Sequence, residues 1–189
     1  MDMNEHITPR SDEDATSQLP ALKVLINMGW KYLTQEEALS LRDGRTSEVL
    51  LYGILEDWLR DNNRIDYRGE SAPFTEANIA SAIATLRDEQ DDGLVRTNEK
   101  IYDHLLLGKS LKQTVLGDSK SFQLKYIDWD FPENNVYHVT EEFAVDRSGS
   151  DKKYRPDLVL FVNGIPLGVI ECKRSDLGPG RPAPVIQAI

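Results

Sequence analysis

Three ionisable residues, Asp157, Glu171 and Lys173, lie at the outer ends of two apolar runs, "DLVLFV" and "IPLGVIECK", that flank Asn163-Gly164. Asn-Gly is among the strongest short hairpin signals, because both residues tolerate φ > 0. A hairpin there returns Glu171 and Lys173 to the level of Asp157, and residues two apart on a strand share a face. Neighbouring carboxylates repel, and a divalent cation relieves that cost. Mg2+ is the natural fit: it accepts one or two carboxylates, keeps several waters and completes its shell with substrate phosphate. Such an ion polarises a phosphoryl oxygen and lowers the pKa of a bound water. Lys173 would hold or activate that water, or neutralise charge growing in the transition state. The plainer reading is that charged residues simply close the ends of a buried hairpin, with no joint chemistry.

Register separates the two readings. Across a two-residue turn Asp157 pairs with Ile170, and Glu171 and Lys173 point to the opposite face. A three-residue loop with Gly164 left-handed, or a bulge at Gly168, sets Asp157 opposite Val169 with Glu171 as its diagonal neighbour on one face. The catalytic reading therefore requires an odd-residue irregularity in this hairpin.

The elements that must position these residues follow from periodicity. Residues 1–18 are rich in charge and poor in apolar groups, as a loosely attached tail is. "LPALKVLINMGW" has helical spacing closed by Gly29, and "LTQEEALSLRDG" reads as a second short helix ending at Gly44. A third helix, capped by Thr46 or Ser47, carries Val49, Leu50, Leu51, Ile54, Leu55, Trp58 and Leu59 on a face too wide for a lone surface helix. "DNNRIDYRGESAP" reads as a loop, Thr75 caps "EANIASAIATLRDEQ", and another helix is expected over "TNEKIYDHLLLGKSL". After Gly117 the period changes to two in "FQLKYIDWD" and "NVYHVTEEFAVD". The runs of the hairpin are apolar on both faces, as central strands of a covered sheet are. Helices followed by strands give a mixed α/β fold with the hairpin at its centre. The final "PVIQAI" reads as the first turn of a further helix.

The 189 residues suffice for one domain with a real core, and 40% apolar with 29% charged residues is ordinary globular composition. No run reaches the roughly 18 apolar residues of a membrane span. One cysteine, Cys172, excludes an internal disulfide framework and suits a reducing cytoplasm. The net charge of −10 weighs against tight DNA binding by the chain as a whole. Positive charge is nevertheless local to the hairpin, where Lys152, Lys153 and Arg155 are candidate DNA phosphate contacts.

Pro156-Asp157, thirteen residues, then Glu171-Cys172-Lys173 at the end of an apolar strand resembles the PD-(D/E)XK nuclease signature. With "RTSEVLL", "GLVRTNEKIYDHLLLGKSL", "KYIDWDFPENNVYHVTEEFAV" and "RPDLVLFVNGIPLGVIECKR", the chain after its tail resembles the N-terminal nuclease region of type I restriction enzyme R subunits. The resemblance implies a restriction-endonuclease-like core, a mixed sheet flanked by helices, over residues 19–189, truncated at its C-terminal end. It implies Asp157 and Glu171 as Mg2+ ligands and Lys173 as the catalytic lysine. An early-helix carboxylate often joins such sites; Glu48 is the candidate, with Glu56 behind it. Duplex DNA and the modification and specificity subunits are the implied partners, and ATP is used only by motor domains outside this chain. The alternative is a docking module that joins the motor to those subunits and cuts nothing.

Departures from the family pattern and other signals add limits. Gln187 is followed only by Ala188 and Ile189, so no Gln-x-x-x-Tyr motif can be assigned. "DHLLLGKS" has Asp103 where a phosphate-binding loop needs its first glycine. His6, His104 and His138 lack the spacing of a zinc site. Cys172, between Glu171 and Lys173, is expected to be structural and to face the other side of its strand.

Overall fold

The computed structural model describes residues 18–89, 92–147 and 150–172. Residues 1–17 of the expected tail, Lys173, Gln187 and the helical turn expected over 184–189 lie outside these residues. The chain begins with α1 (Leu19–Asn27), β1 (Lys31–Leu33), α2 (Gln35–Ser40) and α3 (Tyr52–Asn62). A hairpin of β2 (Arg64–Tyr67) and β3 (Glu70–Pro73) leads to α4 (Glu76–Arg87) and α5 (Leu94–Leu107). A second hairpin pairs β4 (Lys109–Val115) with β5 (Asp118–Leu124). Then come β6 (Tyr137–Glu141), a small hairpin of β7 (Val145–Arg147) and β8 (Ser150–Tyr154), and the β9 (Leu158–Val162) and β10 (Ile165–Ile170) pair.

Among the described residues the central sheet has four strands in the order β1-β6-β9-β10. β1 runs parallel to β6, and the other pairs are antiparallel, so the sheet is mixed as expected. One face packs on α1 through Leu22, Val139 and Leu158, with Leu160 and Ile170 beside them. The other packs Val159 and Phe161 on Ala38, Leu51 and Phe143. Beyond the turn end of the hairpin, Leu55, Trp58 and Leu59 of α3 meet Ile79 and Leu86 of α4, and Leu111 and Leu124 of the β4–β5 hairpin. Each such side chain contributes about 1.5–3 kcal/mol of burial. The wide apolar face of α3 is therefore divided between two cores.

Several sequence expectations are corrected. The third helix starts at Tyr52, not at Thr46 or Ser47, and has no side-chain cap. Its entry is set at long range: the Leu51 N–H donates to the Gly164 carbonyl at 2.9 Å. The expected loop after Asn62 contains the β2–β3 hairpin, turned through Arg68 and Gly69 at φ 51° and 85°. Helix α5 ends at Leu107, and residues 109–111 belong to β4, so strands begin before Gly117. β9 is internal to the sheet, whereas β10 is its outer strand among the described residues. Thr75 does cap α4, accepting the Asn78 N–H at 3.3 Å.

Asn163 and Gly164 both take positive φ, 53° and 81°, as a two-residue hairpin turn demands. Asn163 is also fully buried and fully bonded. Its amide donates to the Tyr126 carbonyl and Asn135 Oδ1, and its Oδ1 accepts the Val136 N–H. The turn is thus pinned to the chain between β5 and β6 as well as to α3.

His138 on β6 is 8% exposed, and its Nδ1 has no hydrogen-bond partner among the described residues. Burial, then the charge of Lys31, holds its pKa below the ordinary 6.5. Protons therefore bind the unfolded chain first, so His138's stabilising effect is complete above pH 6.5 and is lost as pH falls through the range below it. Chemical denaturation at a series of pH values should show this slope, and His138→Asn should flatten it.

Candidate active site

Asp157 immediately precedes β9 and Glu171 immediately follows β10. The hairpin opens in the two-residue register, Val162 facing Ile165 and Phe161 facing Pro166. Between Pro166 and Gly168 the register shifts, and Leu160 then faces Gly168, Val159 faces Val169 and Leu158 faces Ile170. The required irregularity is present as a bulge near Gly168, with no three-residue loop. Its effect differs from the expected diagonal arrangement: continuing the register one step sets Asp157 directly opposite Glu171, on one face. Gly168 suits the crowded position, since a Cβ there would lie 3.3 Å from Leu160 Cδ1.

Local bonds fix both carboxylates. Asp157 Oδ2 accepts the Cys172 N–H at 2.5 Å, tying the start of β9 to the chain beyond β10. The Tyr154 hydroxyl donates to Glu171 Oε1. That bond, then partial burial and the charges of Glu171 and Asp157, raises the Tyr154 pKa above the ordinary phenol value. Tyr154 thus senses both carboxylates. The Asp157 carbonyl accepts the Glu142 N–H at 3.1 Å and Gln18 Nε2 at 3.2 Å. Gln18 Nε2 also lies 3.5 Å from Glu141 Oε2, and Glu141 Oε1 accepts the Tyr32 hydroxyl at 2.8 Å. Burial and this acceptor push the Tyr32 pKa up.

With one oxygen of each carboxylate so engaged, the other oxygens of Asp157 and Glu171 suit a hard cation. No group of three or more His, Cys, Asp or Glu among the described residues is placed to hold a metal. Two carboxylates with waters and a substrate oxygen match the habit of Mg2+, so the donor set fits. Lys173 lies outside the described residues. Glu48 is engaged elsewhere: its carboxylate accepts the Tyr52 hydroxyl and lies 3.5 Å from Arg45. Glu56 pairs with Arg60 at 2.8 Å. Lys152, Lys153 and Arg155 are exposed on and after β8, with Arg155 Nη1 3.9 Å from Glu142. Cys172 is half-buried, and its backbone N–H is what touches the site. Gln18, Tyr32, Glu141 and Tyr154 are the supporting residues that sequence reasoning missed. Gln18 had been placed at the end of the tail, yet it is buried.

A family model described as the type I restriction enzyme R protein N terminus matches residues 10–189. This chain belongs to that family. As an R protein N-terminal region it is similar to the type I restriction enzyme HindI endonuclease subunit of Haemophilus influenzae, 26% identical over 162 residues. That match covers 86% of this chain and 15% of the relative. A putative type I restriction enzyme MjaVIIIP endonuclease subunit of Methanocaldococcus jannaschii is 31% identical over 156 residues, covering 79% of this chain and 13% of the relative. The putative MjaIXP endonuclease subunit of the same organism is 26% identical over 172 residues, again 86% of this chain and 15% of the relative. The chain spans less than a sixth of the length of these curated relatives. No helix among the described residues of this R protein region is long and apolar enough to cross a membrane.

Proposed function

We propose that this region is the Mg2+-dependent endonuclease part of a type I restriction enzyme R subunit, hydrolysing phosphodiester bonds of unmodified duplex DNA. The observation that carries the reading is the register shift at Gly168, which brings Asp157 opposite Glu171. Asp157 and Glu171 would hold the ion through the oxygens not bonded to Cys172 N–H and the Tyr154 hydroxyl. Bound there, Mg2+ would supply charge to the phosphoryl oxygen and acidify a water. The water would give up a proton as its oxygen bonds to phosphorus, the bond from phosphorus to the leaving deoxyribose oxygen would break, and that oxygen would take up a proton in turn. Lys173, two residues beyond Glu171 in sequence, is assigned to orient the water or to balance the added negative charge. ATP-driven translocation is assigned to motor domains outside these residues, and site recognition to the modification and specificity subunits. The same reading places the protein in the cytoplasm, with its DNA substrate.

The test is a calorimetric Mn2+ titration of this chain beside Asp157→Ala and Glu171→Ala, each checked for folding by circular dichroism. Saturable binding in the parent that disappears in both variants is the expected result. Binding that survives both substitutions would remove the hairpin carboxylates from the metal site.

A further inference from the structure

Arg42 is 2% exposed, yet its guanidinium has no ion pair with a carboxylate among the described residues. Its Nε donates to the Ala38 carbonyl at 3.3 Å, and Nη1 donates to the Glu48 and Ala144 carbonyls, both at 3.0 Å. The group lies over the Phe143 ring, 3.8 Å from its centroid. Asp146 is close enough to favour the charge, but its Oδ1 accepts the Thr46 hydroxyl at 2.7 Å. A buried cation whose neighbouring carboxylate is not in contact with it gains from an anion that reaches it. Five donors in a rigid fork, three of them already fixing its plane, make arginine suited to phosphate oxygens.

The route for such an anion is open. Arg42 and Phe143 line a cleft of about 220 Å3 between α2 and the β6–β8 segment, with Gln35, Thr46, Lys153 and Arg155 around it. Lys153 makes no salt bridge among the described residues, and Arg155 is only loosely paired with Glu142, at 3.9 Å. That volume is below the roughly 300–1,000 Å3 of sites that enclose a drug-sized molecule, so it suits a single tetrahedral anion. The wall of the cleft is bonded to the catalytic strand, because Glu142 N–H donates to the Asp157 carbonyl. Arg155 stands two residues before Asp157 in the chain.

We propose that this cleft is a phosphate subsite that seats a backbone phosphodiester of the duplex whose scissile bond reaches Asp157 and Glu171; the proposal rests on the nuclease reading for the identity of its ligand. Arg42 and Lys153 supply the charge, Gln35 a neutral donor, and Phe143 the platform that holds the planar guanidinium in place. The contact positions DNA without reading sequence.

The test uses this chain and a fluorescein-labelled duplex of about 20 base pairs, with binding followed by anisotropy in Ca2+ over a range of salt. Lys153→Glu should weaken binding about tenfold near 50 mM salt and lower the salt slope by about one to two. Lys120→Glu is the control, its ammonium lying 4.7 Å over the Tyr67 ring in a different hairpin region; it should change affinity less than about twofold. Arg42→Gln should behave as Lys153→Glu does if its thermal melt matches the parent, and otherwise Lys153→Glu decides. Equal losses in Lys153→Glu and Lys120→Glu, no loss in either, or no duplex binding by the parent would each overturn the cleft. Asp157→Ala keeps the two readings apart: DNA hydrolysis that survives it defeats the nuclease assignment, whereas the cleft stands or falls on the Lys153→Glu affinity.

Discussion

Asp157→Ala, made in a complete R protein that carries this region, is expected to lower the rate of DNA cleavage by about 10^3-fold or more. The size follows from what is removed. Asp157 is one of two facing carboxylates; under the proposed function its replacement would leave Glu171 alone to hold the divalent ion, and it leaves the Cys172 N–H without its acceptor. Glu171→Gln is expected to match it, although glutamine can still accept the Tyr154 hydroxyl, because in the proposed site the charge and not the bond would bind the ion. Lys173→Ala should lower cleavage similarly with metal binding retained. All three should stay folded, with Asp157→Ala melting somewhat lower for want of the Cys172 N–H acceptor, and on the proposed reading assembly with the modification and specificity subunits should be unchanged. Cleavage within tenfold of the parent, combined with failed assembly, would instead favour a docking role.

The second large effect is on stability. Gly164→Ala is expected to destabilise the fold by about 3–5 kcal/mol, combining a left-handed backbone with overpacking. Gly164 has φ +81°, and a Cβ there would lie 2.6 Å from the Leu51 carbonyl oxygen and 3.0 Å from Leu55 N. Neither is the end of a flexible side chain. Both belong to the first turn of α3, whose start is fixed by the Gly164 carbonyl. Gly117→Ala is the matched control, with φ +82° and nothing among the described residues within 4 Å of the added Cβ. It should cost only about 1–2 kcal/mol, the backbone share. Urea melts of the two variants would separate the terms, and equal destabilisation would mean that the contact with α3 yields freely.

The hairpin was legible because its signals are local: Asn163-Gly164 fixes the turn, and the apolar runs fix the strands. The bulge was legible as a requirement, since Gly168 interrupts an aliphatic strand, but its direction was not. The result is a facing pair of carboxylates, a closer approach than the diagonal one anticipated. The start of α3 could not be read locally, because its Leu51 N–H is satisfied by Gly164, more than a hundred residues away. The β2–β3 hairpin was hidden by its turn: Arg68 takes a positive φ that sequence patterns assign to Asn, Asp or Gly. At the site, Asp157 and Glu171 came from spacing and resemblance. Gln18, Tyr32 and Glu141 did not, since their role is defined only by bonds that join distant segments. Arg42 was equally silent, because its burial and its place over the Phe143 ring are properties of the folded chain.

The irregularity between Pro166 and Gly168 has a further consequence for how the molecule behaves among its own copies. β10 is the outer strand of the sheet among the described residues, and Leu167 and Val169 are 43% and 54% exposed. A flat, apolar outer strand is a template on which another chain can add a strand and begin to aggregate. Here Pro166 offers no N–H, and the bulge twists the next residues out of a straight ladder. The offset that lines up the two carboxylates therefore also spoils the strand as a seed for intermolecular pairing, and straightening it would trade that alignment for a sticky edge.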